Sequence, residues 1–276
     1  MSTVAPTRTQ RRIAAVDLIQ AAWQYRLVLF ATSRLELRQK YAGSVLGSAW
    51  IVLYPLLFLS IYVFLYLVIF KMRFPGFSQL NYVNFVFSGL IPYLIFMESL
   101  SRASVIIREN LHLLRNVILP AELVVVRLVL VAMLAQLVSF AVLLVMIGID
   151  GDLTWHLVFL PLVLIFAALF MLGFSLLIAG LGAIFSDVFQ IVNLLLIFLL
   201  FVSPIAFQEA MVPPELRVVV NLNPISYLLE GFRWSLLASY ETHPIRLAVF
   251  PFMSLAIYSL GAAFFRRFKG LMVDHV

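Results

Sequence analysis

An all-α integral membrane protein with six transmembrane helices is the fold class this sequence predicts, and three observations predict it. Of its 276 residues, 64% are hydrophobic and only 12% charged, with a mean hydropathy of +1.08, well outside soluble globular composition. The stretch 48–70 contains no Asp, Glu, Lys or Arg, which exceeds the ~20 residues a helix needs to cross about 30 Å of hydrocarbon. The net charge of +6 comes from basic residues set in short groups beside apolar spans rather than over one soluble face. That is the distribution of membrane topology, not of a nucleic-acid surface.

Taken in order, Ile13, Val16, Gln20, Trp23, Leu27 and Phe30 recur at steps of three and four with Asp17, Gln24 and Arg26 between them. The pattern predicts an amphipathic helix lying on the inner membrane surface. Arg11 and Arg12 precede it, but Asp17 and Gln20 interrupt the apolar run and no small-residue cleavage pattern follows, so no cleaved signal is expected. Residues 1–47 are therefore expected to form a cytoplasmic N-terminal amphipathic segment, and residues 48–276 a six-span transmembrane domain. Arg34, Glu36, Arg38 and Lys40 lead into the first span, where Trp50, Tyr54, Phe58, Tyr62, Tyr66 and Phe70 fall at every fourth position. Such rings form a winding stripe, one every ~6 Å, that drifts about 40° per step in an ideal α-helix.

The second span, 82–107, is broken on the page by Pro92 and carries Glu98 and Arg102, four apart and able to pair on one face. Residues 108–119 alternate polar and apolar side chains up to Pro120, the pattern of a short amphipathic cytoplasmic helix. The third span covers 121–147, with Glu122 and Arg127 near its inner end; the fourth covers 157–185, where Gly173, Gly180 and Gly182 suit close helix approach. The fifth, from Gln190 through Asn193 to Val202, is short for a crossing, and the last covers 245–265. Between these two, 208–244 is too apolar for an ordinary loop, yet it holds Glu209, Glu215, Arg217, Glu230, Arg233 and Glu241. Two short helices are expected there, at 214–221 and 224–237, each opened by proline. They are read as an outer re-entrant or interfacial pair.

Charge sets the orientation. Arg8, Arg11, Arg12, Arg26, Arg34, Arg38, Lys40, Arg108, Arg115, Arg266, Arg267 and Lys269 fall on one side, against Lys71, Arg73, Arg217, Arg233 and Arg246 on the other. Both termini are expected in the cytoplasm. With no cysteine there is no disulfide, thiolate nucleophile or Cys-ligated metal. His112, His156, His243 and His275 are scattered and form no ligand pair. No phosphate loop occurs and no paired catalytic carboxylates face one compartment, so any energy must come from a partner or an ion gradient.

Four stretches resemble the membrane subunit of type-2 ABC exporters, in particular the polysaccharide and O-antigen export branch. They are Arg38-Gln-Lys-Tyr-Ala-Gly-Ser-Val-Leu-Gly-Ser-Ala-Trp50 with Pro55; Asn110-Leu-His-Leu-Leu-Arg-Asn-Val-Ile-Leu-Pro120; Phe185-Ser-Asp187 leading to Ser203-Pro204-Ile205; and Asn223-Pro224-Ile225 with Arg233. At the third, Ser186 stands where the family often has arginine. The resemblance implies a homodimer of six-span subunits in the bacterial inner membrane, with two copies of a nucleotide-binding ATPase beneath. ATP and magnesium would lie on that partner and no cofactor on this chain. The substrate would be a lipid-linked glycan of the O-antigen, capsule or teichoic-acid type, and nucleic acid is no partner. Asn110, Leu113, Leu114 and Arg115 would belong to the coupling helix that contacts the ATPase, and Pro204, Asn223, Pro224, Glu230 and Arg233 to the outer re-entrant segment. Trp50, Tyr54, Phe58, Tyr62 and Tyr66 become candidates for a conduit lining, since a sugar's C–H face lies well against a ring. The same architecture moving a smaller lipid or drug, or an ion-coupled transporter or channel without an ATPase, stays open at this point.

Overall fold

The computed structural model describes residues 15–40, 43–69, 79–110 and 120–274, and the described residues are overwhelmingly helical. Helix α1 (Ala15–Gln24) and α2 (Arg26–Gln39) meet at Tyr25. The amphipathic segment is thus two helices, the second running through the charged group that precedes the first span. Leu29, Ser33 and Leu37, at four-residue spacing, are the buried face of α2. Leu37 packs with Val131 and Ala135 of α5 (Ala121–Ala135).

Helix α3 (Trp50–Val63) runs on as a π-helical stretch, Phe64–Ile69. Helix α4 (Gln79–Glu109) has 31 residues and continues unbroken through the buried Pro92. Helices packed around a proline can satisfy the backbone groups it frees, which is why the expected break is absent. The third apolar segment is the one that divides, into α5 and α6 (Leu137–Asp150), at Gln136. There the Ser139 hydroxyl donates to the Gln136 side-chain oxygen at 2.7 Å. Gly151, at φ 74°, closes α6 in the left-handed conformation that glycine adopts without penalty.

A 3-10 turn (Trp155–Phe159) leads into α7 (Leu160–Ile184), and α8 (Val188–Val202) returns. After α8 come a 3-10 turn (Pro214–Leu216), α9 (Arg217–Leu222), α10 (Pro224–Leu236) and α11 (Pro244–Asp274). The two short helices therefore sit where the prolines place them, the first part 3-10 and part α.

Four stretches are long and apolar enough to cross a membrane: Gln79–Glu109, Ala121–Asp150, Trp155–Ile184 and Pro244–Lys269. The chain is a multi-pass membrane protein. Helices α3 and α8 are apolar but shorter; at 1.5 Å per residue the 15 residues of α8 reach only about 22 Å. Helix α7 is the centre of the packing, lying between α4 and α11. Glycines make this possible. A Cβ on Gly182 would fall 2.0 Å from the Ser104 carbonyl oxygen of α4, one on Gly173 2.6 Å from the Ile257 backbone of α11, and one on Gly261 2.1 Å from the Gly173 carbonyl oxygen. Backbones approach this closely only where no side chain intervenes.

Candidate functional site

At the Asn110 end of α4, charges from four helices are tied together. Glu98 and Arg102 do not pair with each other. Lys40, just past α2, donates to Glu98 at 2.6 Å, and Arg102 donates to Glu36 of α2 at 2.5 Å. With α2 lying across α4 and α5, each member of the expected pair finds its opposite charge on another element. Glu36 has a second cation, Arg127 of α5, whose Nε lies 3.0 Å from its other oxygen. That N–H is out of line, so the contact is an ion pair without a hydrogen bond. Arg127 Nη2 donates to the Asn110 side-chain oxygen at 3.2 Å. Lys269 of α11 donates to both oxygens of the buried Glu122, at 3.0 and 2.9 Å. Asn110 is thus held at the head of the expected coupling helix, whose Leu113, Leu114 and Arg115 lie outside the described residues. Ser101 of α4 donates to Asn193 of α8 at 2.7 Å, which anchors the short helix to the long one.

Along α3 the ring series is real where its side chains are described. Tyr54 and Phe58 stack with centroids 6.3 Å apart at 18°, and Phe58 meets Tyr62 at 5.2 Å and 37°. Phe58 and Tyr62 rest against the core, while Tyr54 is 54% exposed. Trp50 is half-buried at the head of the helix, and the Tyr66 side chain lies outside what is described. Below Val63 the π-helical stretch takes more than four residues per turn. A four-residue step there falls short of a full turn, where in an α-helix it overshoots, so the drift of the stripe changes sign.

The opposite end of the bundle is about 40 Å away along α4. Here 203–206 is buried after α8, and the Asn223 side chain knots it to α10. Asn223 caps that helix by accepting from the Ile225 N–H at 3.0 Å, and its amide donates to the Ser203 hydroxyl at 2.9 Å. Pro224 takes the first helical position, where no donor is needed. Asp152 accepts from the Ser239 N–H and hydroxyl, both at 2.7 Å, fixing the strand-like segment after α10 to the α6–α7 turn.

Between these supports lie two buried ionisable groups on one face of α10. Arg233, 2% exposed, donates to the Ile205 carbonyl oxygen at 2.8 Å and stands 3.7 Å over the Phe85 ring of α4. Gly89 leaves room for it, since a Cβ there would come within 3.0 Å of Arg233 Nη2. Glu230, also 2% exposed, accepts from the Tyr240 hydroxyl at 2.9 Å and the His243 N–H at 2.6 Å. Burial pushes the Glu230 carboxyl up, against the lowering pull of those bonds and of Arg233. It pushes the Arg233 guanidinium down and the Tyr240 phenol up to about 12. Beside them Arg246 of α11 donates to Glu209 at 2.5 Å and to Asn221. A cavity of about 670 Å³, open on one side, is lined by Glu230, Arg233, Tyr240, Arg246 and the 204–210 segment, Pro204 among them.

Of the outer-segment residues named from sequence, Pro204, Glu230 and Arg233 share this cavity, while Asn223 and Pro224 shape its frame. Phe85, Tyr240 and Arg246 were missed, and so were Glu36 and Lys40 as partners. The tell-tale for Glu36 was on the page: a lone acid among Arg34, Arg38 and Lys40.

Residues 28–237, from α2 through α10, match the family model of the ABC-2 type transporters. The O-antigen export system permease protein RfbA of Myxococcus xanthus is 28% identical over 248 residues, 89% of this chain and 92% of that protein. The protein of the same description from Klebsiella pneumoniae is 23% identical over 245 residues, covering 88% of this chain and 92% of its own. The polysialic acid transport protein KpsM of Escherichia coli is 25% identical over 244 residues, 86% of this chain and 92% of that protein.

Proposed function

Because this chain belongs to the ABC-2 type transporter family, we propose that it is the transmembrane subunit of an exporter moving a lipid-linked polysaccharide, of O-antigen, capsule or teichoic-acid type, across the bacterial inner membrane. Two copies assemble with two copies of a separate ATPase, which carries the ATP and magnesium, and this subunit performs no chemistry of its own. Helices α3 and α8 act as the first and fifth of six spans, the buried 203–206 segment completing the depth that α8 lacks. Both termini and the 110–119 coupling segment face the cytoplasm, and α9 and α10 form the outer re-entrant pair.

The observation that carries the substrate class is the Tyr54, Phe58, Tyr62 ladder, read beside relatives named for O-antigen and polysialic acid export. Stacked rings offer weak, repeated contact to sugar faces, and the phenols at both ends of the ladder can bond hydroxyls. A glycan sliding past such a surface is held without being trapped. Deletion of the chain in the cells that make it is the test: surface polysaccharide should disappear while its lipid-linked form accumulates inside. Unchanged surface polysaccharide would refute the proposal.

A further inference from the structure

The cavity at the α10 end has a wall chemistry that the export reading leaves unused. Arg246 is satisfied by Glu209 and Asn221 and reads as structural. Arg233 is different: it forms no ion pair among the described residues, and its buried Nε–H has no hydrogen-bond partner. Arg217 on the same wall also lacks an ion pair among the described residues, its Nε donating only to the Val212 carbonyl oxygen at 3.1 Å. Beside Arg233 on the same face of α10, each oxygen of Glu230 accepts one hydrogen bond and retains capacity for a second. The wall therefore has both donors and acceptors to spare, flanked by the rings of Phe85 and Tyr240.

Arg233 feels Glu230 only through space, with no direct ion pair and an unpartnered Nε–H, so its burial stays costly, and the ring beneath it offsets only part of that cost. Something polar is expected to meet it. A phosphate or carboxylate would suit the arginines but not a wall that also holds Glu230 and Glu209. An acyl chain would waste every one of these groups. A polyol fits both kinds, because each hydroxyl donates and accepts, so neighbouring hydroxyls on one ring can serve a carboxylate and a guanidinium together. The volume lies within the 300–1,000 Å³ range usual for small-ligand sites, enough for a short stretch of sugar rings.

We infer that this cavity is a glycan-binding site on the chain itself, in which Glu230, Arg233 and Arg217 hold sugar hydroxyls and Tyr240 lies against a ring. The inference rests on the polysaccharide-export reading and assigns that substrate a second foothold, about 20–25 Å along α4 from Glu98 and Arg102 of the ionic network. The ring ladder would bear sugars transiently, whereas this cavity would engage them through charged, directional groups.

The test uses the full chain with its ATPase in the cells that make it, with a photo-crosslinking residue replacing Glu241 at the cavity lip or Trp155, exposed at the same end but outside the cavity. Illumination at the Glu241 position should give a slow-migrating glycan ladder on the permease that vanishes when glycan synthesis is blocked, and the Trp155 position should give none. Arg233→Lys, which keeps the charge but loses the planar edge, should lower the ladder at least fivefold at unchanged protein level. Arg217→Ala, on the less buried rim, should do the same should Arg233→Lys fail to accumulate. Normal surface glycan with no ladder at Glu241, or an equal ladder at Trp155, overturns the inference while leaving the export reading intact. A small discrete adduct that persists without glycan synthesis also overturns it, in favour of a lipid headgroup. Loss of the export reading would show separately, as surface glycan that survives deletion of the chain.

Discussion

Glu36 holds two arginines from two other helices, so removing it strands both at once. Glu36→Ala leaves Arg102 and Arg127 in a half-buried site without their carboxylate, a loss between that of a surface pair and a buried one, about 1–3 kcal/mol. Arg127→Gln removes only one of the two pairs and loosens Asn110, the residue at the head of the proposed coupling segment. We expect Arg127→Gln to leave insertion intact and reduce ATPase stimulation by the permease several-fold in reconstituted complexes. Unaltered stimulation would limit the network to a structural role. Glu230 gives a second residue-scale prediction. Its folded carboxyl binds a proton more tightly than the unfolded one, because burial raises its pKa. The stabilisation is complete below the ordinary value of 4.5 and is lost as pH rises through the raised value. As pH rises above 4.5 through that raised value the wild type should lose more thermal stability than Glu230→Gln; parallel melting curves would contradict this.

At the scale of elements, most of the helices could be read from their periodicity and punctuation. Pro214 and Pro224 placed the two short helices α9 and α10, and apolar length placed α4, α7 and α11. What could not be read was where helices change character. Pro92 looked like a break and is not, because surrounding helices decide whether a proline interrupts; Gln136 looked innocuous and divides a span. The π-helical stretch after Val63 is invisible to any count of four-residue steps, since the count assumes the winding it would have to reveal. Glycine was legible as a sign of close approach but not of which partner approaches. The structure supplies Ser104 and Ile257, and a prediction follows. Gly182→Leu places a side chain where backbone stands 2.0 Å from its Cβ, and overpacking of this kind costs about 1–3 kcal/mol or more. Folded yield should collapse, while Gly148→Ala, whose Cβ would meet only Leu153 at 3.7 Å, should be silent. Equal monodispersity of the two purified variants would refute the packing account.

Over the whole molecule, the candidate site was legible in its parts and not in its assembly. Glu230 and Arg233 were named from an anomalous loop composition, but Phe85, Tyr240 and Arg246 join them from distant positions that only the bundle brings together. Whether the ring ladder faces a conduit or lipid is likewise a property of the assembly, and the absence of cysteine makes it easy to ask. In single-cysteine variants of the assembled transporter, a water-soluble maleimide should label Tyr54→Cys much faster than Leu260→Cys, which lies exposed on α11. Equal rates would mean that both are bathed in lipid. The glycine seams carry a consequence for motion. Helices α4, α7 and α11 touch backbone to backbone, so none can slide past another by swapping side-chain rotamers, which is the usual low-cost route for helix shear. They form a stator. Any stroke that admits and releases a long polymer has to be taken up by the parts outside these glycine seams: α2 on its ionic contacts, α3, and the hairpin of α9 and α10.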